Sequence, residues 1–282
     1  MKELLKKDVV FFDGAMGTML QKMRPGKKER SEAVNILAPE VVQAIHEAYV
    51  EAGSDMISAN TFGAHRDNCE RLGKTVEEVV FAAVKSAKAA AGNKVLVGID
   101  IGPTGEILEP YGDLEEDDAI EMFGEIAKAG EDAGCDFAVI ETMGSLDEAV
   151  AAMKAVKEYT DLPFIVTMTF TKNGRTFMGY TPEAFAEKAK EQGALAIGLN
   201  CSLAPADIYP IAEKLAQATD LPLIVKPNAG IPEADGTYKV TPEEFAKQMS
   251  EFKKLGVKVV GGCCGTTPEH IKALRKEYGY EG

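Results

Sequence analysis

Short apolar segments alternate with long amphipathic segments along the whole chain. Eight of the apolar segments are rich in Val, Ile, Phe and Ala, and such nearly continuous apolarity is typical of strands covered on both faces. The predicted strands are Val9–Phe12, Asp55–Ser58, Val95–Ile99, Phe137–Ile140, Phe164–Thr167, Ala196–Leu199, Leu223–Val225 and Val257–Val260. A helical pattern follows each strand, so the sequence predicts eight successive β–α units.

Several predicted helices begin at recognisable capping residues. A Ser or Thr before the first turn can accept hydrogen bonds from free backbone amides, and Pro or Glu directly after it favours a helix start. These signals place four helices at Leu146–Tyr159, Glu183–Gln192, Phe245–Leu255 and His270–Tyr278. Glycines stand where several helices should end, at Gly53, Gly134, Gly193 and Gly256.

The repeated alternation predicts an α/β protein with the (β/α)8 TIM barrel fold. A doubly wound sheet would rarely need so many parallel strands, and no linker divides the chain, so we expect a single domain over residues 1–282. Longer connections that follow strands belong to the functional rim of such barrels. Three are predicted as rim loops, at Gln21–Leu37, at Gly102–Glu116 and, with a possible small hairpin, at Asn228–Val240.

Composition narrows the classes of partner. The 282 residues include 31 Lys and Arg against 45 Asp and Glu, a formal net charge of −14, which argues against nucleic acid or acidic membrane as a partner. No apolar run approaches the roughly 18 residues that span a bilayer, and Asp13 ends the N-terminal apolar stretch too early for a secretory signal. We therefore expect a cytoplasmic protein whose five cysteines do not form a disulfide framework.

Small polar residues follow nearly every predicted strand. In a barrel the carboxyl ends of all strands meet on one face, so these side chains should converge there. They are Asp13, Asn60, Thr61, Asp100, Glu141, Thr142, Thr167, Thr169, Asn200, Cys201, Asn228, Cys263 and Cys264. Solvated Lys and Glu would be the ordinary residues at such ends, so the pattern indicates a functional site.

Three of the five cysteines lie at this face. Cys201 follows strand six, and the adjacent pair Cys263 and Cys264 follows strand eight, in turns rich in glycine. Three thiolates could hold a zinc ion and leave its fourth position open, as in catalytic zinc sites. The alternative is that all three are inert packing residues, because free cysteines are often buried. Cys69 and Cys135 are assigned to packing.

The ligand types favour one kind of zinc chemistry. No pair of histidines has metal-ligand spacing, and His46, His65 and His270 are interpreted as packing or surface residues. Hydrolytic zinc sites usually employ His and carboxylate ligands, whereas a sulfur-rich site suits the binding of a substrate thiol as thiolate. The natural reaction partner of such a thiolate is an alkyl or methyl donor.

Residues at strands one and four could hold the other end of the substrate. Asp13 and Glu141 could accept hydrogen bonds from a substrate ammonium, and the backbone amides of Gly14 and Ala15 could receive a carboxylate. Glu141 could equally be a structural cap or one half of a buried ion pair.

Two other enzyme classes fit parts of the sequence. Lys226 ends strand seven within an apolar run, where a desolvated amine could form a Schiff base, although an ion-paired lysine is the more ordinary interpretation. The turn at Gly261 and Gly262 is typical of barrel phosphate sites, but the two cysteines that follow favour a metal.

Seven separated blocks together resemble the homocysteine S-methyltransferase family, and the likeness runs essentially from end to end. It is closest to the N-terminal homocysteine-binding module of cobalamin-dependent methionine synthase. The blocks are Phe12–Thr18, Asn60–Ala64, Asp100–Gly105, Glu141–Thr142, Gly198–Ser202, Pro227–Gly230 and Gly261–Pro268.

The resemblance implies a (β/α)8 barrel that transfers a methyl group to homocysteine and gives methionine. It implies Zn²⁺ held by Cys201, Cys263 and Cys264, and substrate handling by a second set of residues. That set is Asp13, Gly14, Ala15, Glu141 and Asn200.

The methyl donor is a separate expectation. The family's betaine-using branch carries an aromatic residue where this chain has Gly63, so betaine is disfavoured. The chain ends at Gly282 without a corrinoid-binding segment, so methylcobalamin is expected on a separate methylcorrinoid protein, unless the sequence is part of a longer protein. The alternatives are a small donor such as S-methylmethionine, or a module that binds homocysteine and zinc without catalysis.

Overall fold

Eight parallel strands form one sheet in the order β1-β8-β7-β6-β5-β4-β3-β2 in a computed structural model that describes residues 1–280. The strands are β1 Val10–Phe11, β2 Met56–Ser58, β3 Leu96–Ile101, β4 Phe137–Met143, β5 Phe164–Met168, β6 Ile197–Asn200, β7 Leu223–Lys226 and β8 Val259–Val260. Phe12 pairs with Met56 in a parallel bridge and so joins the two edges of the sheet. The predicted (β/α)8 barrel is therefore confirmed; residues 281 and 282 of the predicted domain lie outside the described residues.

Helices separate all successive strands. They are α1 Gly17–Met23, α2 Ser31–Leu37, α3 Pro39–Glu51, α4 Arg66–Glu70, α5 Val76–Ala91, α6 Glu116–Asp132, α7 Leu146–Tyr159, α8 Pro182–Gln192, α9 Pro205–Ala218, α10 Pro242–Ser250 and α11 Pro268–Glu277, with 3-10 turns at Leu4–Lys6 and Glu251–Leu255. The helix predicted at Phe245–Leu255 is thus divided between α10 and a 3-10 turn. Within residues 1–280, no helix combines the length and apolarity needed to cross a membrane.

One predicted rim loop is largely helical, and a second is a loop as predicted but lacks the possible hairpin. The stretch Gln21–Leu37 contains the end of α1 and all of α2, which begins without a side-chain cap and so lacked the usual start signal. The stretch Asn228–Val240 forms a turn in which the Glu233 amide donates to the Thr237 carbonyl at 2.8 Å, but no pair of strands. The connection at Gly102–Glu116 is a loop, as predicted, up to the start of α6.

The barrel interior is a closed apolar cluster. Its members are Val10, Phe12, Met56, Phe137, Val139, Ile165, Ala196, Ile224 and Val259. Gly98 makes room for the largest of them, because a Cβ at Gly98 would lie 2.6 Å from the ring of Phe137. At the amino-terminal end, Leu4 and Leu5 of the first 3-10 turn pack against the cluster. Because the interior is a packed core, a ligand would bind at the mouth of the barrel and not inside it.

The next layer of inward-facing residues is polar. Side chains along a strand alternate between its two faces, so the residue two positions after an interior residue points the same way. In this way Ser58 follows Met56, and Lys226 follows Ile224. By the same alternation Glu141, Asp100 and Asn200 complete this layer. The inward-facing side chains therefore change from apolar to polar or charged between one layer of the barrel and the next.

Among the buried polar side chains, His46 in α3 predicts a pH dependence of stability. It is fully buried with both ring nitrogens unpartnered within residues 1–280, and burial lowers its pKa to about 4. Between about pH 6.5 and 4 the unfolded chain binds a proton that the folded chain does not. The free energy of unfolding therefore decreases as the pH is lowered, by up to about 3 kcal/mol. Urea unfolding across this range should show that the free energy of unfolding decreases less with falling pH for His46→Leu than for the wild type. An equal decrease in both proteins would contradict the prediction.

Candidate active site

The site lies in a cavity of about 330 Å³ at the carboxyl ends of the strands. Most of the predicted site residues line it, namely Asp13, Gly14, Ala15, Glu141, Cys201, Cys263 and Cys264. Asn200 is the exception, because it is fully buried behind the wall. Its side-chain amide donates to Thr142 Oγ1 at 2.7 Å and lies 4.0 Å from Cys263 Sγ. Asn200 therefore supports the residues that face the cavity.

The three cysteines converge at the edge of this cavity. Their sulfur atoms lie within 4.8 Å of one another, and Cys201 Sγ is 3.9 Å from Cys264 Sγ. Sulfurs that surround a zinc ion tetrahedrally at about 2.3 Å lie about 3.8 Å apart. The trio therefore fits a zinc ion without rearrangement of the strands that carry it.

Unusual backbone geometry aims these side chains. Thr142, Cys201 and Ser202 all have positive φ, at 64°, 56° and 59°, a region that residues other than glycine adopt at a cost. Thr142 and Cys201 directly follow the inward-facing residues Glu141 and Asn200, and Ser202 comes after Cys201. Such strain concentrates at functional sites, where surrounding contacts maintain it.

The three thiols together stabilise one negative charge, which lies on Cys264. Hydrogen bonds from Cys201 and Cys263 to the Cys264 sulfur lower the pKa of Cys264 to about 3, while the same contacts raise the pKa of Cys263. One thiolate is thus stabilised by two thiol donors. A divalent cation would displace the remaining protons, which is the usual way in which thiols bind metal.

A buried lysine connects the two predicted substrate carboxylates. Lys226 Nζ lies 3.2 Å from Glu141 Oε2, 3.5 Å from Asp13 Oδ1 and 3.8 Å from the centre of the Phe12 ring. The Ser58 amide donates to the other oxygen of Asp13 at 2.8 Å. The ion pair that the sequence left open for Glu141 is therefore present, with Lys226 as its partner.

These contacts set the protonation of the group. Burial raises the pKa of Asp13 to about 6, and Lys226 and the Ser58 amide only partly offset that rise. Burial lowers the pKa of Lys226, but Glu141, Asp13 and Asp100 raise it by more, so its net pKa is above the usual value. A Schiff base needs a neutral amine. Lys226 is instead a protonated, ion-paired lysine.

The turn at Gly14 and Ala15 is fixed by contacts from distant segments. The Ala15 amide donates to Thr266 Oγ1 at 3.1 Å, and the Tyr49 hydroxyl donates to the Ala15 carbonyl at 2.8 Å. A Cβ at Gly14 would lie 2.6 Å from Thr266 Oγ1, so only glycine fits there. Because Ala15 already has an acceptor, Gly14 is the residue of this turn whose amide has none within residues 1–280.

Tyr49 and Glu32 are among the wall residues that the sequence did not predict. Tyr49 reaches the cavity from α3, and Glu32 reaches it from α2 and accepts a hydrogen bond from the Gly63 amide at 2.7 Å. Both lie on helices, so neither follows a strand, which was the signal that located the other wall residues. Glu32 also lies in the stretch predicted as a loop.

The chain is similar to known proteins in both fold and sequence. Two crystal structures of the homocysteine methyltransferase MmuM from Escherichia coli share the fold. The metallated form has a TM-score of 0.85 at 23% identity over 98% of each chain, and the oxidized form has 0.83 at 24% over 96% of each. A sequence model described as homocysteine S-methyltransferase matches residues 10–278. The chain belongs to the homocysteine S-methyltransferase family, whose reaction class is methyl transfer to the sulfur of homocysteine.

Proposed function

We propose that this chain catalyses zinc-dependent transfer of a methyl group to the thiol of homocysteine, giving methionine. The observation that carries the proposal is the convergence of three thiols, within 4.8 Å of one another, on a cavity that also contains buried carboxylates. The single family match over residues 10–278 supports the further proposal that residues 1–282 are one homocysteine-binding barrel domain.

Cys201, Cys263 and Cys264 would hold the zinc ion. When bound, zinc supplies the Lewis acidity that keeps a substrate thiol deprotonated near neutral pH, where a free thiol of pKa about 8.5 is mostly protonated. Asn200 acts as a positioning residue: its side-chain oxygen accepts hydrogen bonds from the Thr142 amide at 2.9 Å and from Thr167 Oγ1 at 2.8 Å. It thereby fixes the wall between Glu141 and the cysteines.

Asp13 and Glu141 would bind the amino-acid end of homocysteine. Their carboxylates accept hydrogen bonds from the substrate ammonium, and the Gly14–Ala15 turn presents its amide edge to the substrate carboxylate. Held in this way, the substrate sulfur faces the cysteines and the open mouth. The new sulfur–carbon bond then forms as the bond between the methyl carbon and the donor breaks, and the product is a neutral thioether.

Glu141→Gln should weaken homocysteine binding by about 10- to 100-fold, because the loss of one charge-assisted hydrogen bond costs roughly 1.5–3 kcal/mol. Zinc affinity should stay close to that of the wild type, because Glu141 is not among the sulfur ligands. Calorimetry with homocysteine and with zinc measures both quantities. Equal loss of both would contradict the assigned role.

We propose that the methyl group comes from methylcobalamin on a separate methylcorrinoid protein. Three large apolar side chains are strongly exposed on loops that follow β3, β5 and β7: Tyr111 at 74%, Phe177 at 85% and Ile231 at 61%. All three loops lie at the face where the cavity lies, and apolar groups gathered on one face are typical of protein-binding surfaces. This distribution favours a donor carried by a macromolecule.

A donor screen tests the function and its alternatives together. The zinc-loaded protein is incubated with homocysteine and, in turn, a methylated corrinoid protein, free methylcobalamin or S-methylmethionine, and methionine is measured. Fastest turnover with the corrinoid protein supports the proposal. Turnover only with S-methylmethionine supports a small-donor enzyme, and zinc-dependent homocysteine binding without methionine from any donor indicates a non-catalytic module.

A further inference from the structure

The charges on the cavity wall do not balance. Four carboxylates line the cavity and are at most 9% exposed, those of Asp13, Glu32, Asp100 and Glu141, and Lys226 is the lysine that lines it with them. Lys226 forms ion pairs with Asp13 and Glu141, the two carboxylates to which the proposed function assigns the substrate ammonium. An internal ammonium thus already satisfies part of their capacity, and Asp100 has no such partner within residues 1–280.

The backbone directs Asp100 into the cavity. In β3, Gly98 faces the interior ring of Phe137, so the alternation of the strand turns Asp100 to the same side, one layer closer to the mouth. Thr61 fixes this position from the next segment: its hydroxyl donates to the Asp100 carbonyl at 2.8 Å and accepts from the Asp100 amide at 3.0 Å. All these bonds use the backbone, and they leave the carboxylate of Asp100 without a hydrogen bond within residues 1–280.

The free carboxylate lacks the contacts that buried charge requires. Asp100 is 8% exposed, and its Oδ1 atom is buried without a hydrogen-bond donor in the described part of the chain. Ser58 Oγ, on the same cavity wall, is likewise buried without a partner. A buried polar atom without a partner is costly, and such atoms gathered around one cavity indicate a ligand that supplies the missing donors. Burial and the nearby Glu141 raise the pKa of Asp100, and Lys226 only partly offsets that rise.

We propose that Asp100 is a specificity-determining residue that binds the ammonium group of the amino-acid substrate, while Lys226 serves as the internal counter-ion of Asp13 and Glu141. This inference rests on the proposed function and adds to it a residue that selects the substrate class. A thiol that carries an ammonium is then preferred over the same thiol without one. Asp13 and Glu141 share Lys226 and remain partners of the same ammonium, and Asp100 adds a buried carboxylate that forms no ion pair with a lysine within residues 1–280.

The test compares two thiols that differ only in the amino group. Zinc-loaded wild type, Asp100→Asn and Asp100→Ala are titrated by calorimetry with homocysteine and with 4-sulfanylbutanoate, its des-amino analogue. Asparagine keeps the volume of aspartate, and alanine provides a second variant if the amide disturbs the site. Asp113→Asn is the matched control, because Asp113 is exposed on the loop that follows the same strand. Zinc content and thermal unfolding are measured for every variant.

The wild type should prefer homocysteine by at least about 10- to 100-fold, because Asp100 alone contributes one charge-assisted hydrogen bond to a buried group. In both Asp100 variants this preference should fall by about 10- to 100-fold with full zinc content, through weaker binding of homocysteine alone, and Asp113→Asn should keep it. Equal weakening of the binding of both thiols would indicate a general change in the electrostatic field of the site and would overturn the inference. An unchanged preference in the Asp100 variants would overturn it as well. If the wild type binds neither thiol, the proposed function fails as well.

Discussion

Replacement of Cys264 by alanine is expected to remove bound zinc and to abolish methyl transfer. Cys264 supplies the sulfur 3.9 Å from that of Cys201, and both lie with Cys263 in a group of three thiols within 4.8 Å. Zinc binding by four protein ligands is worth about 10–16 kcal/mol, so one thiolate contributes roughly 3 kcal/mol, about 100-fold in affinity. The remaining two sulfurs should not retain zinc through purification in a chelating buffer. Elemental analysis and a methionine assay measure the two losses.

Cys135→Ala is the matched control for this experiment. Cys135 is a buried cysteine two residues before β4, at the opposite end of the barrel from the cavity. The same change of side chain should leave zinc content and activity near their wild-type values, at a modest cost in stability. Full activity of Cys264→Ala without zinc would refute the proposed role of the trio.

The architecture was predictable because it depends on the periodicity of the apolar residues and on the order of strands and helices along the chain. Eight apolar runs separated by helical patterns admit few arrangements other than a barrel, and the observed strands differ from the predicted ones by three residues or fewer at each end. Short helices without side-chain caps were not predictable. Helix α2 begins after Arg30, which makes no side-chain capping bond, and its seven residues are too few for a clear period.

The site was predictable as far as strand ends determine it. Cysteines that follow β6 and β8 had to meet at one face, and their sulfur atoms do so. The pairing of Lys226 with Asp13 and Glu141 was not predictable, because strand order alone does not say which inward side chains touch across the mouth. Asn200 shows the same limit: it follows the pattern of a wall residue, yet it lies behind the wall.

Lys226→Met should destabilise the fold by about 3–5 kcal/mol near pH 8, the usual cost of removing one partner of a buried ion pair. Methionine keeps the length of the side chain and its contact with Phe12, so the variant removes chiefly the charge. Lys226 is 3% exposed, and water cannot replace it as a partner of Asp13 and Glu141. Urea unfolding measures the cost. Lys190→Met, which breaks an exposed pair with Asp220, is the control and should cause little change.

The loss of stability in Lys226→Met should depend on pH, and the direction of this dependence shows whether the lost charge causes it. Without Lys226, the pKa values of Asp13 and Asp100 in the folded state rise further above those of the unfolded chain. The folded variant then binds more protons than the unfolded chain between these values, so its stability increases as the pH falls. We therefore expect the difference from the wild type to shrink by at least about 1 kcal/mol between pH 8 and pH 5. A cost that is equal at both pH values would mean that Lys226 contributes packing rather than charge, and that the carboxylates around it need no counter-ion.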